Sequence, residues 1–456
     1  MRTIYRLTII MSVIITLGGC KLGKQYTRPE LDLPEHFGTD SRDSVSLADY
    51  SWNEIYRDTI LQGLIQKTLA NNKDMLIAAA KVKELAAIKR ISTANMLPHI
   101  SASGYTKQEG TNYGGDDFNK SKESGIKASA NWELDLWGNL RWAKEKSMAD
   151  FVGSLENQKA IRMSLIAEMA QNYFELVALD NELNIVRKTV EARRESLHLA
   201  RIRYEGGLTS ETAFRQAQVE LARTATLVPE LEKKITIKEN EIAFLMGEYP
   251  HNIKRGSIDK NVLMTDSLPV GLPSTLLERR PDVHKAEQML IAANAEVGVA
   301  FTNLFPKISL TASYGTESEE LSDLMKSPFH LISGNVFSPI FSMGKYRAMV
   351  KAKKAAFQQA TLVYEKAVLS AFKDAYNAID EYNKTKQIYD TRLRLEQASK
   401  SSLELAQLQY INGVIGYIDL LDAQRSYLDA QIGLNKAIRD QQFTIINLYK
   451  ALGGGW

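Results

Sequence analysis

Residues 345–412 read KYRAMVKAKKAAFQQATLVYEKAVLSAFKDAYNAIDEYNKTKQIYDTRLRLEQASKSSLELAQLQYIN, 68 positions without a Gly or a Pro. As one helix rising about 1.5 Å per residue, this stretch is roughly 100 Å long, several times a usual globular helix. Ala348, Ala352, Ala355, Ala360, Ala367, Ala371, Ala375 and Ala378 form a seam of small residues along it. Their steps of mostly three, four and seven place them on one face, where another backbone can come close. Such a rod cannot be the centre of a compact ball. It needs parallel neighbours along its length.

A second copy lies upstream. Residues 139–205 contain no Pro and only Gly153, which predicts a helix of about the same length. The two stretches end alike, in Arg203-Tyr204-Glu205-Gly206-Gly207 and Gln409-Tyr410-Ile411-Asn412-Gly413, an offset of 206. The same offset relates Gly138 to Gly344, Ala217-Gln218 to Ala423-Gln424, and Gly247 to Gly453. A period this long marks a duplicated half-protein rather than a solenoid. The predicted organisation has residues 1–19 as a signal, 20–51 as an extended polar strap, 52–246 as a first repeat, 247–273 as a linker and 274–456 as a second repeat. The repeats hold long helices at 139–205 and 345–412 and return helices at 209–246 and 415–452. Pro229 is expected to interrupt the first return helix and Gly433 to weaken the second.

The N-terminus carries Arg2 and Arg6, an apolar run over 7–17, then Gly18-Gly19-Cys20. This is the pattern of a secretory signal, and the run is too short to span a membrane. Cys20 is the only cysteine. Its place directly after Leu17-Gly18-Gly19 resembles the bacterial lipoprotein box, in which the cysteine is lipidated; a free cysteine near an ordinary cleavage site is the other reading. With Lys21 following, the resemblance implies sorting to the outer membrane. No later stretch has the 18 or more apolar residues of a membrane helix, so a bilayer crossing would have to use strands of a closed barrel.

Strand character appears between the helices. Ile126, Ala128, Ala130, Trp132, Leu134 and Leu136 alternate with Lys127, Ser129, Asn131, Glu133 and Asp135. Period two over this length suits one tilted membrane strand of about 9–11 residues. Residues 98–106 are a weaker partner, with a loop expected over 108–122, giving a hairpin over 98–137. The second repeat has its counterpart over 306–343: Ile308, Leu310, Ala312 and Tyr314 alternate with Ser309, Thr311 and Ser313, and a less regular strand is expected over 332–341. Soluble hairpins packed on the helices would share the pattern. Four strands cannot close a barrel, and open edges are not tolerated in lipid, so a barrel requires several chains.

Net charge is only +3, and charged residues make up 24% of the chain, so nothing points to nucleic acid. The six histidines are scattered, and there is no phosphate-binding loop and no His-Glu-x-x-His. No catalytic grouping or cofactor site follows. The sharper feature is the turn at Tyr410, Gly413, Ile418, Asp419 and Asp422. Asp419 and Asp422 stand three apart and so share a helix face. Repeated around a threefold axis they would form an acidic constriction; a solvated helix face is the other reading.

Taken together, these stretches resemble the TolC-like outer-membrane efflux channels, most closely their OprM-type lipoprotein branch. The pieces that carry the resemblance are Gly271-Leu272-Pro273-Ser274, Leu276-Leu277-Glu278-Arg279-Arg280-Pro281-Asp282, Asn303-Leu304-Phe305-Pro306, Leu420-Leu421-Asp422-Ala423-Gln424 and the chain end at 448–456. The resemblance implies a mainly α fold with a small β part: a homotrimeric α-helical tube in the periplasm capped by a 12-strand outer-membrane β-barrel, four strands per chain. It implies no enzymatic activity and no cofactor beyond a lipid on Cys20. It also implies a passive exit duct for drugs or other small solutes, held among outer membrane lipids, with a periplasmic adaptor and an inner-membrane pump of the RND type as partners. Ile418, Asp419, Asp422 and Tyr410 match the family's periplasmic gate; Gly207, Leu208, Thr209, Gly413 and Val414 match its adaptor-docking tips. The chain departs from the type member in having Ala213 and Ile415 where that protein has Asp and Arg. A type I protein-secretion duct and a non-conducting coiled-coil scaffold lipoprotein are the alternatives.

Overall fold

The computed structural model describes residues 21–34, 46–112, 114, 119–256 and 273–456. Cys20, the signal at 1–19, positions 35–45 of the strap and 257–272 of the linker, with Gly271 and Leu272, lie outside the described residues. The main elements are α1 (Thr59–Asn71), α2 (Lys73–Ala94), β1 (His99–Thr111), β2 (Asn119–Leu134), α3 (Asn139–Glu205), α4 (Glu211–Leu245), α5 (Pro281–Thr302), β3 (Lys307–Ser318), β4 (Pro328–Phe337), α6 (Lys345–Ile411) and α7 (Tyr417–Ala451). Both α3 and α6 are single helices of 67 residues.

The duplication shows in the backbone. Gly138, Gly207 and Gly247 have φ of +85, +70 and +72°, and their counterparts Gly344, Gly413 and Gly453 have +80, +73 and +85°. A left-handed residue at each of these points starts or ends a helix, and glycine takes that conformation without a Cβ clash.

Two compact units divide the chain, and each draws segments from both repeats. One comprises Ala80–Leu155, His284–Lys366 and the described residues before Asp32. Its sheet is antiparallel, in the order β1-β2-β3-β4. The register sorts residues by chemistry. Ile100, Ala130, Ala312 and Ile332 lie side by side across the four strands, as do Trp132, Leu310 and Gly334, and Leu134, Ile308 and Val336. One step along, on the opposite face, stand His99, Asn131, Thr311 and Ser333, and then Glu133, Ser309 and Asn335. The hydroxyls of Ser129 and Ser313 bond at 2.8 Å, and Thr311 donates to Asn131 at 2.9 Å. The strands outrun the sequence expectation: pairing of β1 with β2 continues from Lys107↔Glu123 to Thr111↔Asn119, so most of the loop expected over 108–122 is ladder. Opposed charges and ladder hydrogen bonds hold polar strand ends together as well as apolar ones do. β4 ends at Phe337, short of Pro339, which has no N–H to give to a ladder.

The other unit is helical. Leu61, Ile65, Met169, Tyr173, Leu176, Ile242, Met246 and Ile446 form its core. Asp58 caps α1, accepting from the N–H of Ile60 at 2.8 Å while also taking the Tyr173 hydroxyl at 2.5 Å. Arg280 is buried against Asp282 at 2.6 Å, Asp374 at 3.2 Å and the Ala451 carbonyl at 3.3 Å, tying the start of the second repeat to its end. Pro229 does not interrupt α4, contrary to the sequence expectation. Both Pro229 and Ala225, whose carbonyl loses its helical partner, are exposed, and buried Leu231, Ile235 and Ile242 keep the next turns in place. The alanine seam of α6 is only partly used within the chain: Ala371, Ala375 and Ala378 are buried, whereas Ala348, Ala352 and Ala355 are exposed.

Two left-handed glycines allow a clean comparison. A Cβ at Gly344 meets nothing within 4 Å, but one at Gly247 would lie 2.6 Å from the Asn71 carbonyl oxygen. Gly344→Ala should cost about 1–2 kcal/mol, the left-handed penalty alone. Gly247→Ala should cost clearly more, read as a larger drop in the thermal midpoint of the purified protein in detergent.

Candidate gate at the helix tips

The two long helices finish in the same hydrogen-bonded stop. After α3, Leu208 N–H donates to the Arg203 carbonyl at 2.7 Å and Gly207 N–H to Tyr204 at 2.9 Å; after α6, Val414 donates to Gln409 at 2.8 Å and Gly413 to Tyr410 at 3.1 Å. These bonds hold Leu208 and Val414 out in solvent, 74% and 70% exposed, with Thr209 half-buried behind the first tip.

Tyr410 points inward and is buried. Its ring meets Tyr417 edge-on at 5.8 Å, and the Arg203 guanidinium sits 4.8 Å over its face. Arg203 also donates to the Tyr410 carbonyl at 3.1 Å, whereas the Tyr410 hydroxyl is buried without a hydrogen-bond partner. Burial raises the pKa of that hydroxyl, with Arg203 opposing. Arg203 thus joins the end of α3 to the end of α6 through the ring and the backbone. Ala213, buried beside them, supplies no carboxylate.

Ile418, Asp419 and Asp422 lie on the first turns of α7, all exposed. Asp419 accepts from the Gly416 N–H at 3.0 Å, so its carboxylate serves as a helix cap as well as a surface charge. Together with Ile415 they line a groove of about 1170 Å³ shared with α4 and α6.

Beside the groove is an ion cluster that the sequence did not announce. Glu220 of α4, 3% exposed, binds Arg193 of α3 and Arg425 of α7. Its carboxyl is held below the usual range, first by the Arg425 hydrogen bond, then by Arg193, against the effect of burial. Asp422 adds to the field at Arg425, keeping that guanidinium firmly charged. A charge within the buried stripe Ala213, Ala217, Glu220, Thr224 was the available signal, since a carboxylate there must find a partner.

The chain matches the family model described as outer membrane efflux protein twice, over residues 64–248 and 272–454, one match for each repeat. It belongs to the outer membrane efflux protein family. It is 29% identical to the cation efflux system protein CusC of Escherichia coli O6:H1, over 97% of both chains. It is equally 29% identical to the toluene efflux pump outer membrane protein TtgC of Pseudomonas putida, over 98% of this chain and 96% of that one. The solved outer-membrane channel OprN superposes with a TM-score of 0.90 at 28% identity, covering 96% of this chain and all of that one. The chain is therefore an outer-membrane channel protein of efflux systems rather than an enzyme.

Removing the charge of Glu220 leaves two guanidiniums with no negative charge between them. Glu220→Gln should lower stability by about 3–5 kcal/mol at neutral pH. Because the folded-state pKa is depressed, this carboxylate's contribution is complete above the carboxyl's unfolded pKa and fades as pH falls through the lower folded value. Denaturant melts at pH 7 and at pH 3 should therefore differ less in the variant than in the wild type.

Proposed function

We propose that three copies of the chain close a twelve-strand barrel in the outer membrane, above a helical duct that crosses the periplasm. The observation that carries this reading is the sheet, with its apolar columns on one face, polar columns on the other, and β1 and β4 as edge strands. Such a sheet is stable in lipid only when other strands take up its edges, and four strands from each of three chains do so. The apolar face then meets hydrocarbon, and the face bearing Asn131, Thr311 and Glu133 lines the lumen. A lipid on Cys20 anchors each chain.

The duct is passive and is gated at its periplasmic end. Ile418, Asp419 and Asp422 from three chains converge as an apolar ring backed by acidic rings, whose field favours cations and resists large anions. Arg203, stacked on Tyr410, and Glu220, bound by two arginines, hold the helix ends that present this ring. The exposed tips, Gly207 to Thr209 and Gly413 with Val414, dock a periplasmic adaptor, and an inner-membrane pump of the RND type supplies the energy. Cargo is a small solute. CusC is named for cations and TtgC for toluene, and the chain is equally similar to both.

Single-channel recording in planar bilayers tests the gate. Asp419→Ala with Asp422→Ala should raise conductance and reduce preference for cations; a conductance equal to wild type would remove these residues from the gate. Tyr410→Phe keeps the ring under Arg203 and loses only an unpartnered hydroxyl, so it should conduct as wild type does. Arg203→Ala should open the channel.

A further inference from the structure

The segment after Cys20 is held far more firmly than a polar leader needs to be. Residues 21–28, Lys-Leu-Gly-Lys-Gln-Tyr-Thr-Arg, form neither helix nor strand, and a segment like this near a chain end is ordinarily loose. Here six of the eight residues are fastened. Lys21 places its ammonium 3.3 Å over the Trp142 ring and pairs with Glu145. Leu22 donates its N–H to the Trp137 carbonyl at 3.0 Å and accepts the Trp142 indole N–H at 2.7 Å. Gly23 turns around the indole at φ +126°, where a Cβ would sit 3.1 Å from the ring. The Lys24 carbonyl accepts from Asn294 at 3.2 Å. Tyr26 donates to Glu287 at 3.1 Å, and Arg28 grips both oxygens of that carboxylate at 2.7 Å each.

The receiving surface is built for this strap. Trp142 is fully buried and rests where a Cβ on Gly298 would lie 2.3 Å from it. A Cβ on Gly138 would meet the Lys21 Cα at 2.9 Å. Glu287 is buried as well, and its carboxyl is kept low by Arg28 and Tyr26 in spite of the opposing desolvation. A buried indole, two close-approach glycines and a buried carboxylate are a large outlay for ordering eight residues.

The position of this socket shows its use. Leu22 is bonded to Trp137, three residues beyond the end of β2, and Trp137 packs against Phe305 at 5.3 Å with the rings tilted by 30° and donates to the Pro306 carbonyl at 2.7 Å just before β3. Trp132 donates to the Met96 carbonyl at 3.0 Å. Amphipathic rings at strand bases of this kind sit at a membrane–water boundary. A single peptide unit, about 3.8 Å between Cα atoms, joins Lys21 to Cys20. Were the same eight residues free, their ends would be separated by about 15 Å on average and would wander.

From this we infer that the Trp142 socket and the Glu287 clamp form a docking site for the mature N-terminus that fixes the lipid anchor beside the strand bases, so that the barrel strands are held at the leaflet they must enter. The inference rests on Cys20 being acylated, as proposed above. The site's occupant is the chain's own residues 21–28, and the surface it serves is a phospholipid monolayer.

The deciding variant inserts Lys-Gly-Ser-Gly-Ser-Gly-Ser-Gly between Cys20 and Lys21 of the full-length protein. It keeps a lysine after the cysteine and every strap contact, and only frees the anchor from the socket. The readout is pulse-chase formation of the heat-resistant trimer in cells, with the mass of the extracted protein reporting acylation. The spacer variant should be fully acylated yet assemble at least about threefold more slowly, since a longer leash dilutes the strands at the surface. Trp142→Ala should show the same delay; if it fails to fold, the spacer variant still decides. An acylated spacer variant that assembles at the wild-type rate overturns the inference and leaves the lipid anchor standing. A wild-type protein extracted without acyl chains removes the anchor and the inference together.

Discussion

Backbone groups at a sheet edge have nowhere to go in hydrocarbon. β1 has 13 residues and β4 has 10, and among the described residues each strand pairs on one side only. Every outward N–H and C=O left bare in lipid costs several kcal/mol, so the sheet is not a stable object in a membrane until both edges are taken up. The apolar columns make the demand stricter. Ile100, Ile332 and Val336 are 75%, 82% and 68% exposed in the single chain, too much apolar surface to leave in water. Lipid relieves the faces and other strands relieve the edges, and neither remedy works without the other.

The same incompleteness runs into the helices. A 67-residue helix gains little from propensity alone and is stabilised by what packs along it. In α6 the middle of the alanine seam is covered by the chain itself, while Ala348, Ala352 and Ala355 remain open. Small residues left uncovered on a long helix suit close approach by another helix. Edges and seam are thus both unfinished in one copy, and in the proposed trimer further copies of the chain finish them.

Features with a local period were readable in the residues. Alternation over 126–136 marked β2, which stops two residues sooner at Leu134, the run without Gly or Pro marked α6, and glycines 206 residues apart marked equivalent helix ends. The features that escaped join residues distant in sequence. Glu220 and Arg425 are 205 positions apart, Arg203 and Tyr410 are 207 apart, and Arg28 meets Glu287 from 259 away. No periodicity links such pairs; only the fold brings them together. Pro229 failed as a breaker for a related reason: local propensity set the expectation, and tertiary burial of the flanking turns prevailed. The polar extension of β1 and β2 was missed because Gln108 and Lys122 look like loop residues singly and like a ladder only when paired.

Acidic side chains near the helix tips fall into two electrostatic kinds. Glu220 is committed: it has two guanidinium partners and is out of contact with water, so its charge holds helices and is not available to a passing solute. Asp422 is uncommitted: it is exposed, and it touches the cluster only through its field at Arg425. The proposed constriction has to hold its shape and still act on solutes, which takes both kinds, because one carboxylate cannot be neutralised for structure and left free for selectivity at once. The division also accounts for the buried Tyr410 hydroxyl having no partner. With alanine at position 213 there is no acid for it to bond, and the work of joining the two helix ends passes to the face of the ring, where Arg203 already sits. Contact of a guanidinium with a ring has a broad energy minimum and gives up little when the geometry shifts, which suits the opening that the proposed gate requires.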